Sequence, residues 1–145
     1  MFSLQVRHLL ERAKLLTAPP ETSVYDAACL MQANGSGAVL VIKDEDRLIG
    51  IFTERDVVFR VVARARSPQY TRLLEVMTPA PFTIGPDRSF GHALTLMQKN
   101  RFRHLPVVED GRVLGIVSAR NALDPDLEEF AAESARREQF GREGA

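Results

Sequence analysis

The sequence predicts a mixed α/β (α+β) fold, in which two β-α-β-β-α repeats related by a pseudo-twofold axis pack sheet to sheet. Three observations lead to this prediction. The chain has 145 residues, of which 45% are hydrophobic, and this is enough to bury the core of one compact domain. The two halves of the sequence align with each other, and each half contains a helical pattern followed by two short apolar runs.

The alignment of the halves places Leu30–Gln32 over Leu96–Gln98 with an offset of 66 positions. After the following turn the offset is 65, and Gly50-Ile51 falls over Gly115-Ile116. Self-similarity at a fixed spacing indicates a duplicated structural unit. The expected organisation is an N-terminal helix (residues 1–16), a first repeat (17–66), a connection (67–81), a second repeat (82–123) and a C-terminal helix and tail (124–145).

Each repeat should open with a helix, because Ser23 and Ser89 are N-cap candidates and apolar residues follow them at helical spacing. Gly35 is suited to end the first helix, since glycine readily adopts the left-handed C-cap conformation. Continuous apolar runs then predict two strand hairpins, at residues 38–42 with 48–52 and at residues 104–108 with 113–117. A short strand at Phe82–Ile84 and a helix over Val57–Ala65 complete the pattern. Extra amphipathic helices are expected at both ends, from Val6, Leu9, Leu10 and Ala13 and from Leu127, Phe130, Ala131 and Ala135.

The charge balance argues against several classes of partner. Lys and Arg number 19, as do Asp and Glu, and the isoelectric point is near 6.8, so nothing favours nucleic acid or an anionic membrane in general. No apolar run approaches the ~20 residues of a membrane span, and Glu11 interrupts the N-terminal run before a signal peptide could form. The single Cys29 cannot form an intramolecular disulfide and is interpreted as a small buried residue. A cytoplasmic location is therefore expected.

Three segments carry a family resemblance in addition to the repeat: Leu48–Asp56 (LIGIFTERD), Met77–Pro79 (MTP) and His104–Ser118 (HLPVVEDGRVLGIVS). With them the sequence resembles a tandem pair of cystathionine-β-synthase (CBS) domains, or Bateman module, over about residues 10–123. The resemblance implies a stand-alone, bacterial-type regulatory module that binds an adenosine-containing ligand such as AMP, ADP, ATP, NAD or S-adenosylmethionine. It also implies a homodimer shaped as a flat disk, acting on a target protein that the sequence does not identify.

The first candidate site follows the pattern Gly-apolar-apolar-Thr-x-x-Asp, which ends a strand and starts a helix at Gly50–Asp56. Thr53, Arg55 and Asp56 would face a cleft, where an ionised carboxylate can accept hydrogen bonds from both ribose hydroxyls. The alternative is that Thr53 and Asp56 form a helix capping box and need no ligand. Both roles can coexist.

By the resemblance, strands of one repeat complete the cleft that holds the acid of the other. Arg103, His104 and Arg120 are therefore expected at the phosphate, because arginine offers a planar fork to phosphate oxygens and phosphate favours a charged histidine. The alternative is a solvated basic loop. Thr83, Ile84, Leu105 and Pro106 are expected to flank the adenine.

A second, weaker cleft is expected from Thr17, Gly37, Ala38, Ser118 and Asn121. Asn121 occupies the position equivalent to Asp56 and cannot chelate a diol as a carboxylate does. In addition, Gly35-Ser36-Gly37 replaces Arg101-Phe102-Arg103 in the first repeat, so the phosphate charge belongs to the Asp56 cleft.

No catalytic machinery is visible in the sequence. The three histidines and the single cysteine lack metal-ligand spacing, and no nucleophile or phosphate-loop motif is present. We therefore expect neither an enzyme, nor a bound metal, nor a catalytic cofactor. The alternative to a ligand-binding regulator is a ligand-independent dimerisation or interaction scaffold.

Overall fold

The structure is a computed structural model, and it describes residues 2–10 and 15–123. The C-terminal helix expected at residues 124–145 lies outside the described residues, as does the part of the N-terminal segment at residues 11–14. The described N-terminal segment contains a 3-10 helix, Val6–His8.

The two repeats share the order helix, strand, strand and helical segment, and the first repeat also begins with a short strand. The first contains β1 (Thr17–Ala18), α1 (Val24–Asn34), β2 (Ala38–Lys43), β3 (Arg47–Thr53) and α2 (Glu54–Asp56), which continues as a π-helix at Val57–Val62. The connection contains a 3-10 helix (Pro68–Tyr70), α3 (Leu73–Val76) and β4 (Thr78–Pro79). The second contains α4 (Phe90–Asn100), β5 (His104–Glu109), β6 (Arg112–Ser118) and a 3-10 helix at Ala119–Leu123.

Serine caps start the first helix of each repeat, as the sequence predicts. The Oγ atoms of Ser23 and Ser89 each accept a hydrogen bond from a backbone N–H three residues later, at 3.1 Å in both cases. Gly35 and Arg101 end the two helices in the left-handed conformation, with φ of 60° and 59°. The helices bury equivalent residues, namely Val24, Ala27 and Met31 in α1 and Phe90, Ala93 and Met97 in α4.

Two expectations for local structure are corrected. The strand expected at Phe82–Ile84 is reduced to a single parallel bridge between Ile84 and Val107. The helix expected over Val57–Ala65 is a π-helix that ends at Val62. Its amide groups bond five residues back, as from Ala63 N to Val58 O at 2.9 Å, so the 3.6-residue spacing no longer applies and only Val61 is buried.

The interpretation of Cys29 as a buried residue is wrong, because Cys29 is an exposed free cysteine. Helix α1 turns Val24, Ala27 and Met31 toward the core, and position 29 lies off that face. Within the described residues, no helix combines the length and the hydrophobicity that a membrane span requires.

The mixed α+β fold with two equivalent repeats is confirmed, but their strands form one six-stranded sheet with the path β1-β2-β3-β6-β5, and β4 pairs with β3. Strands β2 and β3 form one antiparallel hairpin, and β5 and β6 form the other, with register shifts at the equivalent steps Val41/Ile42 and Val107/Val108. The hairpins are joined edge to edge by the single pair Arg47 and Arg112. A buried cluster connects the repeats, formed by Ala38, Leu40, Ile51 and Ile116.

The segment before each repeat packs against the other repeat. In the N-terminal segment, Val6 N donates to Arg88 O at 2.8 Å, and Phe90 N donates to Leu4 O at 2.7 Å. In the connection, Leu73 N donates to Thr22 O at 2.9 Å in the equivalent way. The N-terminal segment therefore completes the second repeat, and the connection completes the first.

Candidate ligand-binding site

An open cleft of about 1250 Å³ lies between the repeats. Its walls come from the start of the helical segment after β3, from residues 78–82 of the connection, and from the end of α4 with the start of β5. Five residues singled out in the sequence meet there: Thr53, Arg55, Asp56, Arg103 and His104. The cleft thus combines the helix start of one repeat with the basic run of the other.

Asp56 forms the capping box with Thr53. Its Oδ2 accepts hydrogen bonds from Thr53 N at 2.9 Å and from Thr53 Oγ1 at 3.3 Å, and Asp56 N donates to Thr53 Oγ1 at 3.4 Å. The capping role is therefore present in the structure. It coexists with access to the cleft, because the Asp56 side chain is 13% exposed and lines the cleft.

Arg60 is a lining residue that the sequence analysis did not assign to the site. Its Nε lies 3.4 Å from Asp56 Oδ1, and its Nη1 donates to the carbonyl oxygens of Val76 and Met77, both at 3.1 Å. The i, i+4 spacing of Asp56 and Arg60 on a helix was the available signal. Arg60 connects the candidate ribose-binding carboxylate to the backbone of the connection.

His104 lies at the start of β5 and is half-buried. Burial is the main cause that lowers the pKa of His104, opposed by the nearby Glu54 carboxylate and reinforced by the Arg120 and Arg103 guanidinium groups. The imidazole is therefore neutral near neutral pH in this state. A bound phosphate would act in the opposite direction and favour the charged form.

The cleft has an excess of positive charge. Four arginines line it, namely Arg55, Arg60, Arg101 and Arg103, against two acids, Glu54 and Asp56. The expected phosphate ligand Arg120 is not among the lining residues, although it is close enough to affect His104. The charge of the lining suits an anion, and arginine can bind phosphate in a bidentate manner.

The expected adenine-flanking residues do not face the cleft. Ile84 is 5% exposed and Leu105 is fully buried, both in the core of the second repeat, and Pro106 is buried while Thr83 is exposed outside the lining. Backbone bonds fix this arrangement, because Ile84 N donates to Pro106 O at 3.0 Å. The side chains of Ile84, Leu105 and Pro106 are therefore buried in the second repeat and do not line the cleft.

Three phenylalanines form the aromatic part of the lining, and none of them is among the site residues predicted from the sequence. The rings of Phe82 and Phe102 stack with centroids 5.7 Å apart and an interplanar angle of 20°. The Arg55 guanidinium lies over the ring of Phe59, 5.2 Å from its centroid. The alternation Arg101-Phe102-Arg103 is the sequence signal for an aromatic ring among the basic residues of the cleft.

The residues expected in the second cleft occupy positions that the repeat makes equivalent to those of the Asp56 cleft, with Ser118 and Asn121 corresponding to Thr53 and Asp56. Asn121 Oδ1 accepts a hydrogen bond from Ser118 N at 2.8 Å, which reproduces the cap that Asp56 forms with Thr53. Gly37 O accepts from Glu54 N at 2.9 Å. Ala38 is buried in the central cluster, so its side chain is not directed at a ligand, and Thr17 is an exposed residue of β1.

Residues 2–10 and 15–123 contain no group of three or more His, Cys, Asp or Glu side chains that could hold a metal ion.

Comparison with protein families identifies the duplicated unit. The CBS domain model matches twice, at residues 6–63 and 73–126. The chain belongs to the CBS-domain family. Both matches begin in the segments that precede the repeats, where the structure shows cross-packing, and tandem CBS modules are typically regulatory.

Known CBS proteins share both sequence and fold with this chain. A CBS-domain protein from Burkholderia ambifaria MC40-6 is 35% identical, with 83% of this chain and 91% of that chain covered and a TM-score of 0.76. The CBS domain pair of protein MJ0100, solved with 5′-methylthioadenosine and S-adenosylmethionine, is 25% identical, with 83% and 93% covered and a TM-score of 0.74.

A relative from Methanopyrus kandleri is 33% identical over 124 residues, which is 85% of this chain and 63% of that protein. The chain spans as little as 20% of the length of other curated relatives. The resemblance therefore concerns the CBS pair and not the full length of these proteins.

Proposed function

We propose that this CBS pair is a non-catalytic regulatory module that binds an adenosine-containing, phosphate-bearing ligand in the Asp56 cleft. AMP, ADP, ATP and NAD are the candidates. The observation that carries the proposal is the composite cleft, in which a helix-start carboxylate of one repeat faces Arg103 and His104 of the other. Neither repeat alone contains both halves of the site.

The proposed binding mode assigns each part of the ligand to one wall. The ribose hydroxyls donate to Asp56, and the phosphates lie against the arginines. The complex of MJ0100 with two adenosine compounds supports the adenosine class. The excess of arginine over acid in the lining favours anionic phosphates over the sulfonium cation of S-adenosylmethionine, because like charges repel.

The regulatory output is proposed to be a change in the relative arrangement of the two repeats or of two subunits. A ligand can shift such an equilibrium only by its differential affinity for the two arrangements. The helical segment Glu54–Val62 is suited to transmit the change, since Arg60 ties it to Val76 and Met77 of the connection.

We further propose that the chain acts as a homodimer in the cytoplasm and regulates a target protein. The same helical segment leaves Val62 67% exposed and outside the cleft lining, and a protein surface would cover it. This exposed apolar side chain also favours the second candidate function, a dimerisation or interaction scaffold that needs no ligand.

The test separates the cap from the ligand contact. Asn121 shows that an asparagine can accept the capping bond, so Asp56→Asn should keep the helix start while it removes the carboxylate. On protein stripped of nucleotide, a ligand at a hundredfold over its Kd should stabilise the wild type by about 2.7 kcal/mol. The thermal shift is measured with AMP, ADP, ATP, NAD and S-adenosylmethionine.

We expect at least one phosphate compound to raise the Tm of the wild type and to lose that effect in Asp56→Asn and in Arg103→Ala. Asn121→Ala is the matched control, because it removes the equivalent cap in the other repeat and should leave the shift in place. A ligand shift that survives Asp56→Asn would contradict the ribose role. No shift with any compound would favour the scaffold.

A further inference from the structure

The cleft contains an aromatic surface that the ribose and phosphate contacts do not use. Phe82 and Phe102 stack on each other, and both line the cleft. Phe102 is anchored, since it packs against the core of the second repeat. Phe82 is 59% exposed although one face of its ring is covered, so its opposite face is open.

An open aromatic face inside a ligand cleft is suited to stack a planar ring. Base stacking on an aromatic side chain contributes binding free energy for any base, because every base has a π-face. A large exposed apolar side chain in a cleft otherwise has an unfavourable contact with water. The Phe82 ring therefore has a surface that a flat heterocycle would complete.

The size of the cleft indicates more than one nucleoside. Small-molecule sites usually measure about 300–1,000 Å³, and this open cleft measures about 1250 Å³. A mononucleotide on Asp56 fills only part of that space. Arg101 and Arg103 flank Phe102 in the sequence and also line the cleft, which places phosphate-binding groups next to the aromatic pair.

We infer that the Phe82–Phe102 pair is a subsite for a second planar heterocycle, joined to the adenosine through a phosphate bridge. The ligand class is then a dinucleotide, and a mononucleotide occupies half of the site. This inference rests on the proposed function, since it assumes adenosine at Asp56.

The test uses ligands that differ by one ring. ADP-ribose is NAD⁺ without the nicotinamide, and diadenosine diphosphate carries a second adenine in its place. We expect both two-ring ligands to bind the full chain about tenfold more tightly than ADP-ribose, from the range of stacking contributions. Phe82→Leu should reduce this ratio to about one while AMP and ADP-ribose change by less than about twofold, because only the second ring contacts Phe82. Calorimetry measures all the affinities.

A control and a reporter accompany this variant. Tyr25→Leu removes a ring that is 49% exposed on α1, outside the cleft lining, and should preserve the ratio. The chain contains no tryptophan, so Phe82→Trp introduces a single indole at the subsite. Its fluorescence should change with the two-ring ligands and stay constant with AMP.

The outcomes separate this inference from the proposed function. If AMP binds through Asp56 but neither two-ring ligand exceeds ADP-ribose, the subsite is refuted and the proposed function stands. If Phe82→Leu weakens the binding of AMP as much as that of NAD⁺, Phe82 has a structural role and the inference fails. It also fails if Phe82→Leu changes the mass of the assembly but leaves the affinity ratio of two-ring ligands to ADP-ribose unchanged. If no ligand binds, both proposals fail.

Discussion

Asp56 has capacity for a ligand in addition to its structural bonds. A carboxylate offers about four acceptor positions. Two donors from Thr53 occupy Oδ2, and Arg60 Nε approaches Oδ1 at 3.4 Å, which leaves one position on Oδ1. One ribose hydroxyl can bind there without loss of the cap. The second hydroxyl requires Arg60 to move, and this gives the ligand a direct effect on the contacts of Arg60 with the connection.

The lowered pKa of His104 predicts a pH-dependent stability. Burial, the main cause, keeps the folded-state pKa below the unfolded value of about 6.5. Between the two values the unfolded chain binds more protons, so this contribution to the free energy of unfolding is full above about pH 6.5 and decreases as pH falls below it. His104→Gln should therefore flatten the decline between about pH 7.5 and pH 5.5.

Urea unfolding without ligand gives the free energy of unfolding at each pH. The effect is the difference between the wild type and the variant in the slope of this free energy against pH. His92 is an exposed residue of α4, and His92→Gln serves as the control that should keep the wild-type slope. A wild-type slope in His104→Gln would show that the imidazole is already solvated in the folded state.

At the scale of elements, two glycines fit the crossing segments against the strands. A Cβ atom at Gly115 in β6 would overlap the side chain of Leu10, and one at Gly50 in β3 would overlap that of Met77. The equivalence of these contacts supports the pairing of the N-terminal segment with the second repeat. Close approach of this kind needs glycine because there is no room for a methyl group.

We predict that Gly115→Ala destabilises the protein by about 1–3 kcal/mol, the usual cost of overpacking. The cost should largely disappear when Gly115→Ala is introduced into the Leu10→Ala protein, because the Leu10 side chain that would overlap the new methyl group is then absent. Gly85→Ala is the matched control, because nothing lies within 4 Å of a Cβ at that position. Denaturant midpoints of the wild type, the two single variants and the double variant give the coupling free energy, and additive effects would exclude the contact.

The sequence predicts the elements whose signals are local. Ser23 and Ser89 identify both helix starts, and the Thr53 to Asp56 spacing identifies the cap at the cleft. The π-helix escapes prediction because Val57–Val62 reads as an ordinary apolar helix, and the wider turn depends on tertiary contacts. The stacking of Phe82 on Phe102 and the bonds of Arg60 to the carbonyls of Val76 and Met77 also escape, because these partners lie 16 to 20 positions apart in sequence and are brought close only by the fold.

The whole molecule is stabilised by the exchange of segments between its halves. Val6 and Leu9 are fully buried in the core of the second repeat, and Leu73 and Val76 are buried in the core of the first. Position 9 corresponds to position 76, with an offset of 67. Each repeat therefore depends on residues that precede the other one in the chain.

This dependence predicts that matched core substitutions act on opposite repeats. Leu9→Ala should cost about 2–5 kcal/mol and increase amide exchange mainly in α4, β5 and β6. Val76→Ala should cost less, because fewer buried atoms are removed, and should increase exchange mainly in α1, β2 and β3. Native-state hydrogen exchange detects such regional opening. If Leu9→Ala instead loosened the first repeat or affected both equally, the two halves would share one cooperative core and would not open independently.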